Sequence, residues 1–107
     1  MYYPDAVLEV AIFTVKAEFE SQMPALRAGL REVLKAFPGL IQYGAYCPIS
    51  NDRVFADLAV WDSLESARRV ADAFNAGDMR FAPYMQAIEQ LTFMSHFALE
   101  PQEGRRD

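Results

Sequence analysis

The chain has 107 residues, of which 52% are hydrophobic and 13% aromatic. This length accommodates one folded domain, and so high an apolar share in a small domain predicts a second buried surface, either a dimer interface or a ligand cavity. Ten basic and fifteen acidic residues give a net charge of −5, which argues against a nucleic-acid partner, because a phosphate backbone requires a basic patch.

Cysteine usage and the absence of long apolar runs predict a reducing compartment. Cys47 is the only cysteine, which excludes an intramolecular disulfide and a cysteine metal cluster. We interpret it as a buried apolar residue. The N-terminal residues do not resemble a signal peptide, and no stretch approaches the roughly 20 apolar residues of a membrane span. We therefore expect a cytoplasmic protein without a membrane partner.

The first half of the chain predicts a strand, a helix and a second strand. Residues 7–16 are rich in β-branched and aromatic residues and predict a strand buried on both faces. Apolar residues then recur at steps of three and four over residues 19–37, which is typical of a one-sided helix, with Ser21 as a plausible N-cap. Pro38 and Gly39 end this helix, and a second strand is predicted over residues 40–47.

The second half predicts two more strands and a second helix. A turn at residues 50–52 leads into a strand over 54–61, and residues 62–65 have the spacing of a capping box with Asp62 as the cap. The helix that follows ends near residues 75–77. A short helical segment starts at Pro83, and the fourth strand is predicted over residues 91–99. Four arginines at helix-surface spacing are interpreted as solvent-exposed: Arg27, Arg31, Arg68 and Arg69.

The predicted order is β-α-β-β-α-β. This is the ferredoxin-like pattern of the α+β class, with a four-stranded antiparallel sheet and helices on one face. We expect a single domain over residues 1–99 and a flexible polar tail over residues 100–107. The other face of such a sheet is bare. In a chain this apolar we expect a second subunit to cover it, which predicts a homodimer.

Four stretches of the sequence carry a family resemblance. They are residues 7–15, residues 37–40 (Phe-Pro-Gly-Leu), residues 60–67 (Val-Trp-Asp-Ser-Leu-Glu-Ser-Ala), and residues 75–79 followed by Phe81 and Tyr84. Together they resemble the dimeric α/β-barrel superfamily, in particular its antibiotic biosynthesis monooxygenase-like group, over most of residues 7–99. The resemblance implies a homodimer whose two sheets form a barrel, with a pocket between each sheet and its helices.

The members of this superfamily differ in activity. They include oxygenases that act on aromatic compounds without metal or flavin, quinol oxygenases and haem-degrading enzymes. The haem-degrading members resemble one another in an asparagine on the first strand, a tryptophan ending the third strand and a histidine on the second helix. Trp61 matches the tryptophan, but the first strand has no asparagine and the second helix has no histidine. The resemblance thus argues against haem, and we expect no cofactor.

Three ionisable residues lie on otherwise apolar strand faces: Glu9, Asp57 and His96. In the predicted topology the first strand lies between the third and the fourth, so suitable registers would place all three residues on a common face. We also expect Leu91, Phe93 and Phe97 to share the opposite face of the fourth strand. A buried carboxylate has to be paired, neutralised or open to water.

The three residues allow several interpretations. In the first, His96 is a general base held by Asp57 or Glu9; the chemistry implied by the resemblance would use such a base to deprotonate a phenol, whose anion then reacts with oxygen. In the second, they form a polar cluster at the dimer interface, and in the third, one or more face solvent at a strand end. They could also hold a divalent metal, but no local ligand spacing supports a metal site.

Aromatic side chains are candidates for the walls of a pocket that binds a small apolar or aromatic molecule. The candidates are Trp61, Tyr46, Phe74, Phe81 and Tyr84. For any single one of them, packing in the core is the better explanation. The methionines Met23, Met79, Met85 and Met94 are interpreted as core or adaptable pocket lining.

Three functions remain open on the sequence. The first is a cofactor-independent monooxygenase that acts on a small aromatic or quinol-like compound. The alternative is a non-catalytic dimeric protein that binds a small apolar ligand, and the two differ in whether His96 has a catalytic role. The third is a purely structural dimer, which filled space between the sheet and the helices would support.

Overall fold

The computed structural model describes residues 3–100. Its elements are β1 (Val7–Val15), a 3-10 turn (Ala17–Gln22), α1 (Met23–Lys35), β2 (Leu40–Tyr46), β3 (Val54–Trp61), α2 (Leu64–Asn75), a 3-10 turn (Met79–Phe81), α3 (Ala82–Ala87) and β4 (Ile88–Ala98). Apart from Glu100, the predicted tail lies outside the described residues. No helix in the described part of the chain is long and apolar enough to cross a membrane.

The four strands form one antiparallel sheet in the order β2-β3-β1-β4. This order and the element sequence confirm the predicted ferredoxin-like fold. The strand β1 lies between β3 and β4, and its register pairs Glu9 with Ala59 on one side and with His96 on the other. On the β3 side, Ala11 pairs with Asp57. Because side chains alternate along a strand, Glu9, Asp57 and His96 lie on the same face of the sheet.

The two long helices begin differently from the prediction. The predicted cap Ser21 lies inside the first 3-10 turn, and α1 begins only at Met23, with Pro24 in its first turn. The cap of α2 is Ser63, not Asp62: the extended backbone of Ser63 places its Oγ 3.1 Å from the Ser66 N–H, from which it accepts a hydrogen bond. Asp62 accepts instead from the Ser66 hydroxyl, at 2.6 Å.

The last strand is longer and less regular than predicted. It begins at Ile88, directly after α3, and its pairing with β1 shifts register twice. Because Leu91 pairs with Phe13 whereas Phe93 pairs with Ile12, the residue between them is unpaired and the alternation of faces is reset. Leu91 therefore shares a face with Met94, and the expectation that it faces the same way as Phe93 is wrong.

The core fills the space between the sheet and the helices. Its most deeply buried large side chains are Trp61, Phe13, Phe81, Met23 and Val15. The opposite side of the sheet, here called the outer sheet face, is apolar and has no helix packed on it in the described residues. It comprises Leu8, Val10 and Ile12 of β1, Ala56, Leu58 and Val60 of β3, and Phe93 and Phe97 of β4. Phe93 and Phe97 remain 42% and 45% exposed.

Candidate functional site

A cavity of about 300 Å³ lies between the sheet and the helices. Most of its lining is apolar, from Ala11, Phe13, Leu30, Leu34, Ala59, Val70, Ala71, Phe74, Phe81, Met85, Ile88, Leu91 and Met94. The polar lining residues are Glu9, Tyr43, Asp57, Asn75 and Tyr84. Among the lining residues, Asn75, Met85, Leu91 and Met94 are exposed, so they mark the mouth of the cavity. The filled interior that would support a purely structural dimer is therefore not observed.

Glu9 and His96 form a pair at the edge of this cavity. His96 Nε2 lies 3.1 Å from Glu9 Oε2, a contact that follows from their directly opposed positions on β1 and β4. The indole N–H of Trp61 donates to Glu9 Oε1 at 3.2 Å. Glu9 lines the cavity and His96 does not. Glu9 is thus the member of the pair that a molecule in the cavity would meet, and His96 lies behind it.

Asp57 belongs to a separate cluster, although it shares the sheet face with Glu9 and His96. Its Oδ1 accepts hydrogen bonds from Arg27 Nη2 at 2.9 Å and from the Tyr43 hydroxyl at 2.8 Å. Its Oδ2 accepts from the Tyr84 hydroxyl at 2.6 Å. Within the described residues these are its side-chain partners, so Asp57 does not hold His96. Of the two predicted supports for the histidine, only Glu9 contacts it.

Arg27 is buried beside this cavity, contrary to the prediction from the sequence. It was interpreted as solvent-exposed, but it is only 4% exposed and forms a salt bridge with Asp57. The sequence does carry a signal: Arg27 follows Met23 by four residues and precedes Leu30 by three, so it lies on the buried stripe of α1. A charged residue within an apolar stripe requires a buried partner of opposite charge.

The cluster shifts the protonation equilibria of its own members. Burial, followed by the negative charge of Asp57, raises the pKa of Tyr43 and of Tyr84 well above that of a free tyrosine. Both hydroxyls therefore stay protonated and donate to Asp57. Burial lowers the pKa of Arg27, but the hydrogen bond with Tyr84 and the charge of Asp57 outweigh it, so that the pKa is raised overall.

The five aromatic candidates for the pocket wall fall into two groups. Phe74, Phe81 and Tyr84 line the cavity. Trp61 is fully buried and lies outside the lining, where it holds Glu9. Tyr46 is 56% exposed and pairs with Ala56, which places it on the outer side of the sheet. The strand period decides this: Tyr43 and Tyr46 are three residues apart and point to opposite faces.

Other side-chain predictions also require correction. Cys47 is exposed, because it follows the end of β2, and is not a buried core residue. Met79 is 85% exposed in the 3-10 turn after α2, whereas Met23 is buried and Met85 and Met94 line the cavity. Within residues 3–100, His, Cys, Asp and Glu side chains are nowhere grouped in threes that could hold a metal ion.

No family model matches the chain, and no curated protein matches it. Several solved structures are similar to it. A conserved protein from Methanosarcina mazei has 22% sequence identity and a TM-score of 0.67, and the match covers 92% of this chain and 96% of that one. A candidate antibiotic biosynthesis monooxygenase from Bordetella bronchiseptica has 14% identity and a TM-score of 0.72, with 91% and 99% covered.

A third solved structure is SnoaB, a cofactor-independent oxygenase from Streptomyces nogalater, with 24% identity and a TM-score of 0.57 over 96% of this chain and 99% of that one. A dimeric ferredoxin-like protein from Thermobifida fusca is also similar, with 18% identity, a TM-score of 0.70, and 92% and 96% covered. These likenesses confirm the ferredoxin-like fold. The similar structures include a candidate antibiotic biosynthesis monooxygenase, which is the group that the sequence resembles.

Proposed function

We propose that this protein is a cofactor-independent monooxygenase that acts on a small aromatic or quinol-like compound. The observation that carries the proposal is the apolar cavity with the Glu9 carboxylate in its wall, joined to His96 at 3.1 Å. An aromatic ring matches the apolar lining, and a phenolic hydroxyl matches the carboxylate. The likeness to a cofactor-independent oxygenase supports the same activity.

In the proposed reaction Glu9 accepts the phenolic proton. The contacts with Trp61 and His96 fix the two carboxylate oxygens, so that the base is oriented before the substrate arrives. Loss of the proton makes the ring an electron-rich phenolate, and the largely apolar cavity gives that anion little solvation. Asp57, with its two tyrosines, lies on the same sheet face and orients the other end of the ring.

The substrate supplies all the electrons of the proposed reaction. A phenol and O₂ give a quinone and water: one oxygen atom becomes the new ring carbonyl, and the other leaves as water with two hydrogens of the substrate. The phenol loses four electrons and O₂ gains four, so no external reductant is required. With 1-naphthol as the probe, the product would be 1,4-naphthoquinone.

Non-catalytic binding of a small ligand is the second candidate function. One observation favours it: His96 lies outside the cavity lining, so the pair can serve as a fixed polar anchor without moving a proton. Under this alternative an aromatic compound would bind and dissociate unchanged.

Oxygen uptake with 1-naphthol tests the two functions against each other. We expect quinone formation above the uncatalysed rate, and a decrease of about 100-fold or more in kcat for Glu9→Gln, as is typical when a general base is removed. His96→Gln tests the hydrogen-bond partner of Glu9 and should also lower kcat. Glu65→Gln, on the exposed face of α2, is the matched control and should leave the rate unchanged. Binding of naphthol without oxygen uptake would favour the binding protein.

We further propose that the working form is a homodimer formed through the outer sheet face. That face leaves apolar side chains half-buried on β1 and exposed on β4, and their contact with water is unfavourable. One of the similar structures is a dimeric ferredoxin-like protein.

A further inference from the structure

The two tyrosine hydroxyls in the wall of the cavity both donate their hydrogen bonds to Asp57. Tyr43 donates to Oδ1 and Tyr84 donates to Oδ2. A tyrosine has a single O–H, so each hydroxyl can offer a ligand only its lone pairs. Tyr84 also accepts from Arg27 Nε at 3.3 Å, whereas Arg27 donates no hydrogen bond to Tyr43. Tyr43 is therefore the freer acceptor.

The N–H donors of the Arg27 guanidinium are likewise all used within the protein. Its Nε donates to Tyr84, its Nη1 donates to the Tyr46 carbonyl at 2.9 Å and contacts Cys47 Sγ at 3.9 Å, and its Nη2 donates to the Ala56 carbonyl and to Asp57, both at 2.9 Å. An arginine has five N–H donors, and these contacts use all five. Arg27 balances the charge of Asp57 but presents no donor to the cavity.

The inner polar wall consequently consists of hydrogen-bond acceptors. The residues that line the cavity within the described chain include the carboxylates of Glu9 and Asp57 but no lysine, arginine or histidine. The amide of Asn75 is at the exposed mouth. A carboxylate carried by a ligand would lose its hydration without gaining a donor, and it would approach two carboxylates. The phenolate of the proposed reaction differs, because it forms beside Glu9 after Glu9 has taken up the proton and become a neutral donor.

We propose that this cavity selects uncharged aromatic compounds with two hydroxyl donors, one for Glu9 and one for Tyr43, and rejects their carboxylated counterparts. Glu9 pairs with Ala59, and Asp57 lies two residues before Ala59 on β3. The Glu9 carboxylate and the group formed by Asp57 and its two tyrosines therefore occupy separate places on one wall. Diagonal neighbours of this kind have Cα atoms about 7–8 Å apart. The two donors must therefore lie on well-separated ring positions. The inference deepens the proposed function and rests on the cavity being the substrate site.

Calorimetric titration without oxygen measures this selectivity apart from turnover. The probes are 2,7-dihydroxynaphthalene, 2-naphthol, 2-methoxynaphthalene and 7-hydroxy-2-naphthoate, which share one ring system. We expect the dihydroxy compound to bind most tightly, the single naphthol less tightly and the methyl ether least among the uncharged probes. The naphthoate has a charged acceptor in place of one donor. It should bind at least about 100-fold more weakly than the dihydroxy compound.

Substitution at Tyr43 tests its role as the second acceptor. Tyr43→Phe should weaken binding of 2,7-dihydroxynaphthalene about 10-fold, the scale of one lost hydrogen bond, and leave 2-methoxynaphthalene unchanged. A merely structural role would weaken all four probes alike. Tyr46→Phe is the matched control, since Tyr46 lies on the outer side of the sheet. Glu9→Gln, which gives the wall an amide donor, should reduce the discrimination against the naphthoate.

Two results would overturn the inference: naphthoate binding as tight as that of the dihydroxy compound, or equal affinities for the dihydroxy compound and the methyl ether. Either could occur while oxygen uptake persists, and the monooxygenase proposal would then stand. Conversely, the predicted order of affinities without any quinone formation would support the selectivity and contradict the monooxygenase.

Discussion

The salt bridge between Arg27 and Asp57 joins α1 to β3 inside the protein. Removing two charges from water costs several kcal/mol. The pair is tolerated because, within residues 3–100, the buried side-chain nitrogen and oxygen atoms all have hydrogen-bond partners. The two tyrosines complete the shell of the carboxylate, and the guanidinium lies 5.0 Å from the ring centre of Phe55. The pair therefore fixes α1 against the sheet at the wall of the cavity, where small displacements would change the shape of the site.

The raised pKa values of Tyr43 and Tyr84 predict loss of stability in alkaline solution. Up to about pH 10 both the folded and the unfolded chain keep the tyrosine protons, and the stability is unaffected. Above that pH the unfolded chain releases protons that the folded chain retains, which favours unfolding until the raised pKa is reached. Between about pH 10 and the raised pKa, each tyrosine lowers the free energy of unfolding by up to about 1.4 kcal/mol per pH unit.

Urea denaturation between pH 9 and 11.5 measures this effect. In Tyr43→Phe one of the two contributions is removed, so the free energy of unfolding should fall less steeply with pH than in the unmodified protein. Tyr46→Phe, at an exposed tyrosine, should leave the slope unchanged. If Tyr43→Phe and Tyr46→Phe have the same slope, the hydroxyl of Tyr43 is not protected in the way the structure indicates.

The connection between α1 and β2 depends on Gly39. Its φ of +96° is unfavourable for residues with a Cβ, and its carbonyl accepts from the Asp62 N–H at 2.8 Å, which ties this turn to the start of α2. A Cβ at this position would lie 2.6 Å from Asp62 Oδ1 and overlap the Ser66 hydroxyl. The two elements thus approach each other through a space that a side chain would fill.

Gly39→Ala is expected to lower the free energy of unfolding by at least about 2 kcal/mol, because the positive φ and the contact with Asp62 and Ser66 both oppose it. Chemical denaturation measures the loss.

Gly29→Ala provides the control for this substitution. Gly29 lies on the exposed side of α1, and a Cβ there meets nothing within 4 Å. Alanine should therefore stabilise the helix by about 0.5–1 kcal/mol. Effects of the same sign for both glycines would contradict this account of the turn.

The outer sheet face is apolar and is left uncovered by the described residues of a single chain. Phe93 and Phe97 stack on each other with ring centres 6.2 Å apart, and they continue the apolar surface of β1. A second copy packed on this face would bury both rings. It would also cover β4, whose other face carries His96, and would in this way link assembly to the candidate site.

Phe97→Glu is expected to convert the proposed dimer to a monomer, because the interface would then bury an unpaired charge from each subunit. Light scattering after size-exclusion chromatography measures the mass. Met79→Glu, which also replaces an exposed apolar residue but lies away from the sheet, should leave the mass unchanged. A monomeric unmodified protein, or a dimer that tolerates Phe97→Glu, would exclude the outer sheet face as the interface.

The sequence by itself determined the order of the elements and the fold class. The change from continuous apolar strands to helical periodicity is a local property, and so are the breaks at Gly39 and Gly77. The strand period also identified Glu9, Asp57 and His96 as ionisable residues on otherwise apolar strand faces. A common face for all three followed only for suitable registers, which the sequence did not supply. These features depend on spacing between near neighbours in the chain.

Only the tertiary structure decided which of these polar groups meet. The register joins Glu9 to His96 and leaves Asp57 to Arg27, a residue from a different layer that lies 30 positions away in sequence. The shift near Phe93 brings Leu91 to the mouth of the cavity, and the alternation of β2 takes Tyr46 away from it. Such pairings depend on how distant segments pack, because a buried charge is stable only beside a partner that local periodicity does not identify.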